Sequence, residues 1–170
     1  LLFTDEIYTP KDFRIKKEND YRNAVKIADK IITVSENTKK DLVEYFQVSP
    51  TKIETVYPGL DAKIFVKKSS DEIKKVRQYY GLKENYLLFV GTIAGRKNTA
   101  RLVETFARTK AKADFELVLA GSLSYMGDLT LQAIEKNRLQ EKVKILGYIE
   151  NEHLPALYSG AKGFLFPTIY

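Results

Sequence analysis

Two adjacent cations, Arg96 and Lys97, precede a predicted helix that is capped by Asn98 and has Arg101 in its first turn. The amino end of a helix already carries positive partial charge, so each exposed cation there opposes the helix dipole by about 0.3–1 kcal/mol. A bound phosphate reverses this sign, because backbone N–H groups, dipole and side chains all favour it. We therefore predict a phosphate site here; the alternative is solvated cations tolerated at small cost.

The loop that carries these cations lacks the two best-known glycine patterns for phosphate binding. It contains no G-x-x-x-x-G-K-[ST] sequence, and "GTIAGR" (residues 91–96) has neither the third glycine nor the middle spacing of G-x-G-x-x-G. We expect side chains to contribute at least as much to phosphate affinity as a glycine cradle does.

Three apolar, strand-like runs each end in a glycine, at Gly91, Gly121 and Gly147. In open α/β sheets, ligands bind outside the carboxyl ends of the strands, and a glycine there allows a ligand to approach the backbone closely. A tight strand-to-loop turn would also explain any one of these glycines. Three in succession favour a binding site.

Strand-like and helix-like segments alternate along the chain. Predicted strands cover residues 31–34, 52–57, 86–91, 115–121, 143–149 and 163–167. Predicted helices cover residues 18–30, 36–46 (capped by Ser35), about 70–80 (capped by Ser69 or Ser70 and ended by Gly81), 98–110, about 125–138 and 151–161, while residues 1–13 are predicted to form a loop. Because the strands are continuous apolar runs, we predict a Rossmann-like α/β fold: a parallel sheet with helices on both faces.

Composition excludes several kinds of chemistry. The chain has no Cys and a single His, His153, so a thiolate nucleophile, a disulfide or a His-based metal cluster is not expected. No apolar run approaches the roughly 20 residues that a membrane span needs. The net charge of +6 arises entirely in residues 61–170, which hold 18 Lys/Arg and 12 Asp/Glu, against 10 of each in residues 1–60. This bias suits an anionic partner: a nucleotide, a nucleic acid or an acidic membrane.

Five successive stretches resemble signatures of the family 4 glycosyltransferases with the GT-B fold. They read "ADKIITVSENTKKDL", "KIETVYPGLDAKIF", "LLFVGTIAGRKN", "LVLAGS" and "VKILGYIENEHLPALYSGAKGFLFPT", and they occur in the expected order over about residues 20–170. The "RKN" form is similar to the mannosyltransferase branch, which implies GDP-mannose as donor. The resemblance implies that residues 1–61 end the acceptor domain and that residues 62–170 begin the nucleotide-sugar-binding domain.

The same resemblance implies roles for individual residues. Lys97 matches the lysine that holds the donor diphosphate, with Arg96 beside it. Thr168 is implied to contact phosphate, and Thr92 stands where many members have an arginine toward the diphosphate. Gly91, Gly121, Ser122, Tyr148 and Ile149 are implied to line the nucleobase and sugar positions.

The resemblance also implies that the catalytic residues lie elsewhere. The family's histidine is expected upstream of Leu1, and its E-G-F-G motif is expected after Tyr170, so both ends look cut and this fragment alone is expected to be inactive. We expect no catalytic residue within the chain, and we interpret His153 as a surface residue.

The implied activity is transfer of a hexose, with retention, from a nucleotide-sugar to a saccharide or lipid-linked saccharide acceptor, in the cytoplasm and with no metal or other cofactor. Peripheral contact with the cytoplasmic membrane face stays open. The alternatives are an inactive nucleotide-sugar-binding or regulatory module and a sugar-nucleotide epimerase of the same fold. A nucleic-acid partner is suggested only by the net charge, and none is expected.

Overall fold

The computed structural model describes residues 9–168, and the chain divides into two units, one ending at Leu60 and the other beginning at Asp61. The predicted loop over residues 1–8 lies outside the described residues. Within the described chain, no helix combines the length and the apolar character that a membrane crossing requires.

The first unit holds two helices and a two-stranded parallel sheet. Its elements are α1 (Lys11–Ile27), β1 (Ile31–Thr33), α2 (Glu36–Phe46), a 3-10 turn (Pro50–Lys52) and β2 (Ile53–Thr55). Ser35 caps α2 as predicted, because its hydroxyl accepts a hydrogen bond from the Thr38 N–H at 3.1 Å. A small core of Leu42, Val48 and Ile53 joins α2 to the sheet.

Helix α1 differs from its prediction. It begins at Lys11, so the loop predicted to extend to residue 13 is wrong for residues 11–13. Pro10 does not interrupt a helix here but immediately precedes one, a position where the missing N–H of proline costs nothing.

The second unit is a four-stranded sheet with helices between its strands. In chain order its elements are α3 (Ser70–Tyr79), β3 (Tyr86–Val90), a 3-10 turn (Gly95–Lys97), α4 (Thr99–Arg108), α5 (Ala111–Asp114), β4 (Glu116–Ala120), α6 (Asp128–Lys136), β5 (Val143–Gly147), α7 (Leu154–Gly160) and β6 (Gly163–Phe164). The spatial order is β5-β4-β3-β6, and every pairing between these strands is parallel. The predicted parallel α/β fold is confirmed.

Both faces of this sheet are covered, because successive side chains of β3 and β4 enter different cores. Phe89, Leu117 and Leu119 pack with residues of α4 and α6, whereas Leu88 and Val118 pack with Leu157 of α7. All five residues of β4 are buried. Four of them, residues 117–120, form a continuous apolar run of the kind from which the parallel sheet was predicted.

Helix ends in this unit follow local chemistry. Ser69 rather than Ser70 caps α3, in a capping box with Glu72, and Gly81 follows the helix with φ +60°. The single helix predicted over residues 98–110 ends at Arg108, and a separate turn of helix, α5, follows.

Candidate functional site

The carboxyl ends of the strands meet at one edge of the second sheet. Strands β3 and β4 end directly before Gly91 and Gly121, and β5 ends at Gly147. The order β5-β4-β3-β6 reverses direction at β3, since β4 and β5 extend from one side of it and β6 from the other. In doubly wound sheets, ligands bind at the crevice that such a reversal creates.

One of the glycines, Gly121, is required by packing between backbones. The Gly91 N–H donates to the Ala120 carbonyl at 2.9 Å, and a Cβ added to Gly121 would lie 1.9 Å from the Gly91 carbonyl oxygen. Gly121 therefore permits the close approach of two chain segments. Gly147 differs, because its φ is +72° and no atom lies within 4 Å of the position that a Cβ would take.

Six of the nine predicted site residues line one cleft of about 240 Å³ at this edge. They are Gly91, Thr92, Gly121, Ser122, Tyr148 and Ile149, and the cleft is completed by Val90, Ala120, Asn151 and Leu154. Tyr148 is 75% exposed, whereas Ile149 is 5% exposed and belongs to the core under the cleft. A larger cavity of about 380 Å³ lies in the first unit, but its lining includes none of the predicted residues.

The other three predicted residues form a second group, where the segment after β3 meets the segment after β6. Arg96 and Lys97 occupy the 3-10 turn that precedes α4. The Thr168 hydroxyl donates to the Arg96 carbonyl at 3.4 Å. These segments follow neighbouring strands at the point where the strand order reverses, so both groups lie beyond carboxyl ends of the same sheet.

Asn98 does not cap α4 as predicted. It adopts a left-handed conformation with φ +58°, and its side chain makes no cap hydrogen bond. Instead its amide Nδ2 donates to the Pro167 carbonyl at 3.3 Å, which joins the same two segments. The first turn of α4 contains no acidic residue, so the positive end of this ten-residue helix favours an anion.

Lys97 is a partly buried cation. Its burial, and secondarily the charge of Arg96, hold the pKa of the Lys97 ammonium below its ordinary value of 10.5. The ammonium nitrogen lies 4.7 Å from the centroid of the Phe166 ring. An anion bound at this turn would raise the pKa again, because it favours the charged amine.

Sequence reasoning missed three residues of this region. The cleft is lined in part by Asn151 and Leu154, and Lys97 is contacted by Phe166, yet none of these contacts was predicted. Asn151 and Leu154 follow the predicted pair at 148–149 by only two to six positions, which was an available signal. Phe166 carried no such signal, because an aromatic residue in an apolar run is typical of core strands.

His153 is half-buried rather than a free surface residue. Its Nδ1 and the Tyr80 hydroxyl are 2.8 Å apart, and its ring contacts both Tyr79 and Tyr80. Possible ligand atoms of Glu150, Glu152 and His153 lie within 4.8 Å of one another. Carboxylate oxygen and imidazole nitrogen are both atoms that can bind a divalent cation. Proximity is the sole indication of a metal there, and the expectation of a metal-free site stays a prediction.

Comparison with known sequences finds two family matches and several curated relatives. Residues 69–170 match the family described as glycosyl transferases group 1, and residues 6–64 match glycosyltransferase family 4. The chain is 27% identical over 172 residues to the O-antigen chain mannosyltransferase B of Escherichia coli, covering 99% of this chain and 45% of that protein. It is 33% identical over 126 residues to an N-acetylgalactosaminyltransferase of Campylobacter jejuni, named for a diphospho-undecaprenol-linked saccharide, covering 74% of this chain and 32% of that protein.

Solved structures share the fold at lower sequence identity. HepE of Anabaena, crystallised with UDP and glucose, superposes with a TM-score of 0.76 at 20% identity, covering 88% of this chain and 41% of that one. WaaG, a glycosyltransferase involved in lipopolysaccharide biosynthesis, gives a TM-score of 0.69 at 21% identity, with coverages of 82% and 38%. The chain thus spans less than half the length of the proteins it matches.

Proposed function

This chain belongs to the glycosyl transferases of group 1 and to glycosyltransferase family 4, with a mannosyltransferase-like sequence and the GT-B fold, and we propose that its second unit is donor-binding in an enzyme that transfers mannose from GDP-mannose. The observation that carries the proposal is the pair of cations, Arg96 and Lys97, at the reversal point of a parallel sheet whose neighbouring strand ends line a cleft. A nucleoside diphosphate matches this chemistry, because its phosphates suit the cations and its flat base suits a cleft with an exposed Tyr148.

The proposed reaction proceeds with retained anomeric configuration. The bond between the anomeric carbon and the diphosphate oxygen breaks, and its electron pair stays on the leaving diphosphate. A new bond forms from the acceptor oxygen to the anomeric carbon, and the proton of the acceptor hydroxyl passes to the leaving diphosphate. Arg96 and Lys97 would stabilise the negative charge that grows on the leaving oxygen, without a metal ion.

The names of the relatives support the other parts of the proposal. Mannosyltransferases of O-antigen chains favour mannose, and the diphospho-undecaprenol in the Campylobacter name favours a saccharide or lipid-linked saccharide acceptor. We place the reaction in the cytoplasm, with peripheral contact to the membrane if the acceptor is lipid-linked. Residues 1–61 would end the acceptor domain and residues 62–170 begin the donor domain; a unit boundary after Leu60 supports this division.

The nucleotide is tested by calorimetric titration of the complete protein with GDP, UDP and ADP. We expect GDP to bind most tightly; preference for UDP, the nucleotide bound to HepE, would contradict the assignment of GDP-mannose. Product analysis with GDP-mannose and acceptor then separates transfer from its alternatives. Nucleotide binding without turnover would indicate the inactive module, and a free sugar-nucleotide with inverted stereochemistry at one carbon would indicate an epimerase.

Lys97→Ala in the complete protein tests the role of the cation. We expect at least about a tenfold loss of turnover, equivalent to roughly 1.4 kcal/mol of transition-state stabilisation. The control is Lys74→Ala, which removes an exposed cation from α3 and should leave turnover unchanged. Steady-state kinetics like those of the wild type in the Lys97 variant would remove this residue from the mechanism.

A further inference from the structure

Resting on the proposed function, we propose that Phe166 is a positioning residue that holds the Lys97 ammonium at the diphosphate site. Neither the family matches nor the sequence patterns assign it a role. The inference rests on three observations: how the ring is fixed, what surrounds the ammonium, and how the two segments are joined.

The Phe166 ring is fixed by stacking. Its centroid lies 5.8 Å from that of Phe89, with the rings inclined by 17°, and 5.9 Å from that of Phe164, with an inclination of 16°. Phe89 is fully buried, whereas Phe166 is 46% exposed. The stack therefore connects Phe166 to the sheet core on one side and to Phe164 on the other, which holds the Phe166 ring in a defined place.

The ammonium of Lys97 uses this ring in place of an acidic partner. Its nitrogen lies 4.7 Å from the ring centroid, within the range of about 6 Å for a cation–π interaction. No ion pair of Lys97 occurs among residues 9–168. A carboxylate would form an ion pair with the ammonium and would have to be displaced by the phosphates. An aromatic face restrains the ammonium yet leaves its charge available to the phosphates.

Hydrogen bonds between the two segments hold the Phe166 ring close to the Lys97 ammonium. Asn98 donates to the Pro167 carbonyl, and Thr168 donates to the Arg96 carbonyl. The residues next to Phe166 in sequence are thus joined to the residues next to Lys97. These two hydrogen bonds make the contact between Phe166 and Lys97 part of the fold.

Fluorinated phenylalanine at position 166 tests the inference in the complete protein. Each added fluorine weakens the negative face of the ring and hardly changes its shape. Across mono-, di- and trifluorinated residues, we expect the pKa of Lys97 to fall stepwise in the nucleotide-free protein. It is measured by NMR titration of labelled lysines, with Lys97 assigned from the Lys97→Arg spectrum. We expect GDP affinity to fall in parallel, by about two- to fivefold.

The matched control is the same series at position 164. Phe164 stacks on Phe166 and contacts no cation among the described residues, so its fluorination should change neither quantity. If fluorination at position 166 left the pKa of Lys97 unchanged, the proposed contact would be overturned. Unchanged GDP binding would overturn the positioning role. Tighter GDP binding would overturn it as well, because it would mean that the ring competes with the phosphates for the ammonium. Failure of the proposed function looks different: the wild-type protein would lack sugar transfer or would not bind GDP, while the trend in the pKa of Lys97 at position 166 remained.

Discussion

At the scale of single residues, Gly121 shows how the sheet edge depends on an absent side chain. A Cβ at this position would lie 1.9 Å from the Gly91 carbonyl oxygen and 2.6 Å from its carbon, and φ is +155°. Neither neighbour is a flexible side chain, so Gly121→Ala must displace backbone. We expect the free energy of unfolding to fall by about 2 kcal/mol or more, measured by urea denaturation.

Gly59→Ala is the control for that substitution. Nothing lies within 4 Å of the Cβ it would add, and its φ lies outside the left-handed region. Since alanine restricts the unfolded chain, we expect no loss and a gain of up to about 1 kcal/mol. Equal destabilisation by both substitutions would show that loss of glycine flexibility, and not overlap with Gly91, is responsible.

Residue-scale prediction from sequence succeeds where the signal is local. Arg96 and Lys97 were identified because cations at a helix start oppose a local field, and the structure does place them ahead of α4. It fails where the partner is distant in sequence. Asn98 looked like a cap because asparagine is a frequent one, yet its partner is the Pro167 carbonyl, and the contact of Phe166 with Lys97 likewise needs the folded sheet.

At the scale of elements, Tyr86 attaches strand β3 to helix α7. The side chain is fully buried, and its hydroxyl donates to the Leu157 carbonyl at 2.7 Å. Tyr86→Phe keeps the ring and removes this bond, so we expect a loss of about 1 kcal/mol in the free energy of unfolding at pH 8. Tyr79→Phe is the control, because Tyr79 in α3 is 69% exposed and should lose little.

The contribution of the Tyr86 hydroxyl should depend on pH in a defined direction. Burial raises the pKa of Tyr86 to about 12 from its ordinary 10.0. A raised pKa in the folded state means that the stabilisation is complete below pH 10 and is lost as pH rises towards 12. The stability difference between wild type and Tyr86→Phe should therefore shrink over that window. A constant difference up to pH 12 would argue against a buried, neutral phenol.

Element prediction was accurate where a cap or a long pattern marked the boundary. Ser35, as predicted, and Ser69, one of two predicted caps, fix the starts of α2 and α3 by side-chain hydrogen bonds. Strand ends were less accurate, as β6 spans two residues where five were predicted. The reason is that a strand extends only as far as its partner does, and β6 pairs with β3 at just Leu87 and Leu88.

At the scale of the whole molecule, the two units differ in charge and in core. All the net positive charge belongs to residues 61–170, and the second unit holds two apolar clusters, one on each face of its sheet. Among the described residues, the apolar core of the first unit contains only three buried residues, Leu42, Val48 and Ile53. A ligand that binds the second unit should accordingly stabilise that unit in particular.

Hydrogen exchange of the complete protein measures this partition. At a GDP concentration of 100 times Kd, a ligand that binds only the folded state adds about 2.7 kcal/mol, which slows exchange through unfolding roughly 100-fold. We expect that slowing in β3 and β4, whose buried amides are protected by the sheet, and little change in β1 and β2. Lys97→Ala at the same GDP concentration should lose most of the added protection, because we expect this variant to have a higher Kd for GDP. Equal slowing in β1 and β2 would mean that nucleotide binding stabilises both units, and the diphosphate site could not then be assigned to the turn at Arg96 and Lys97 alone.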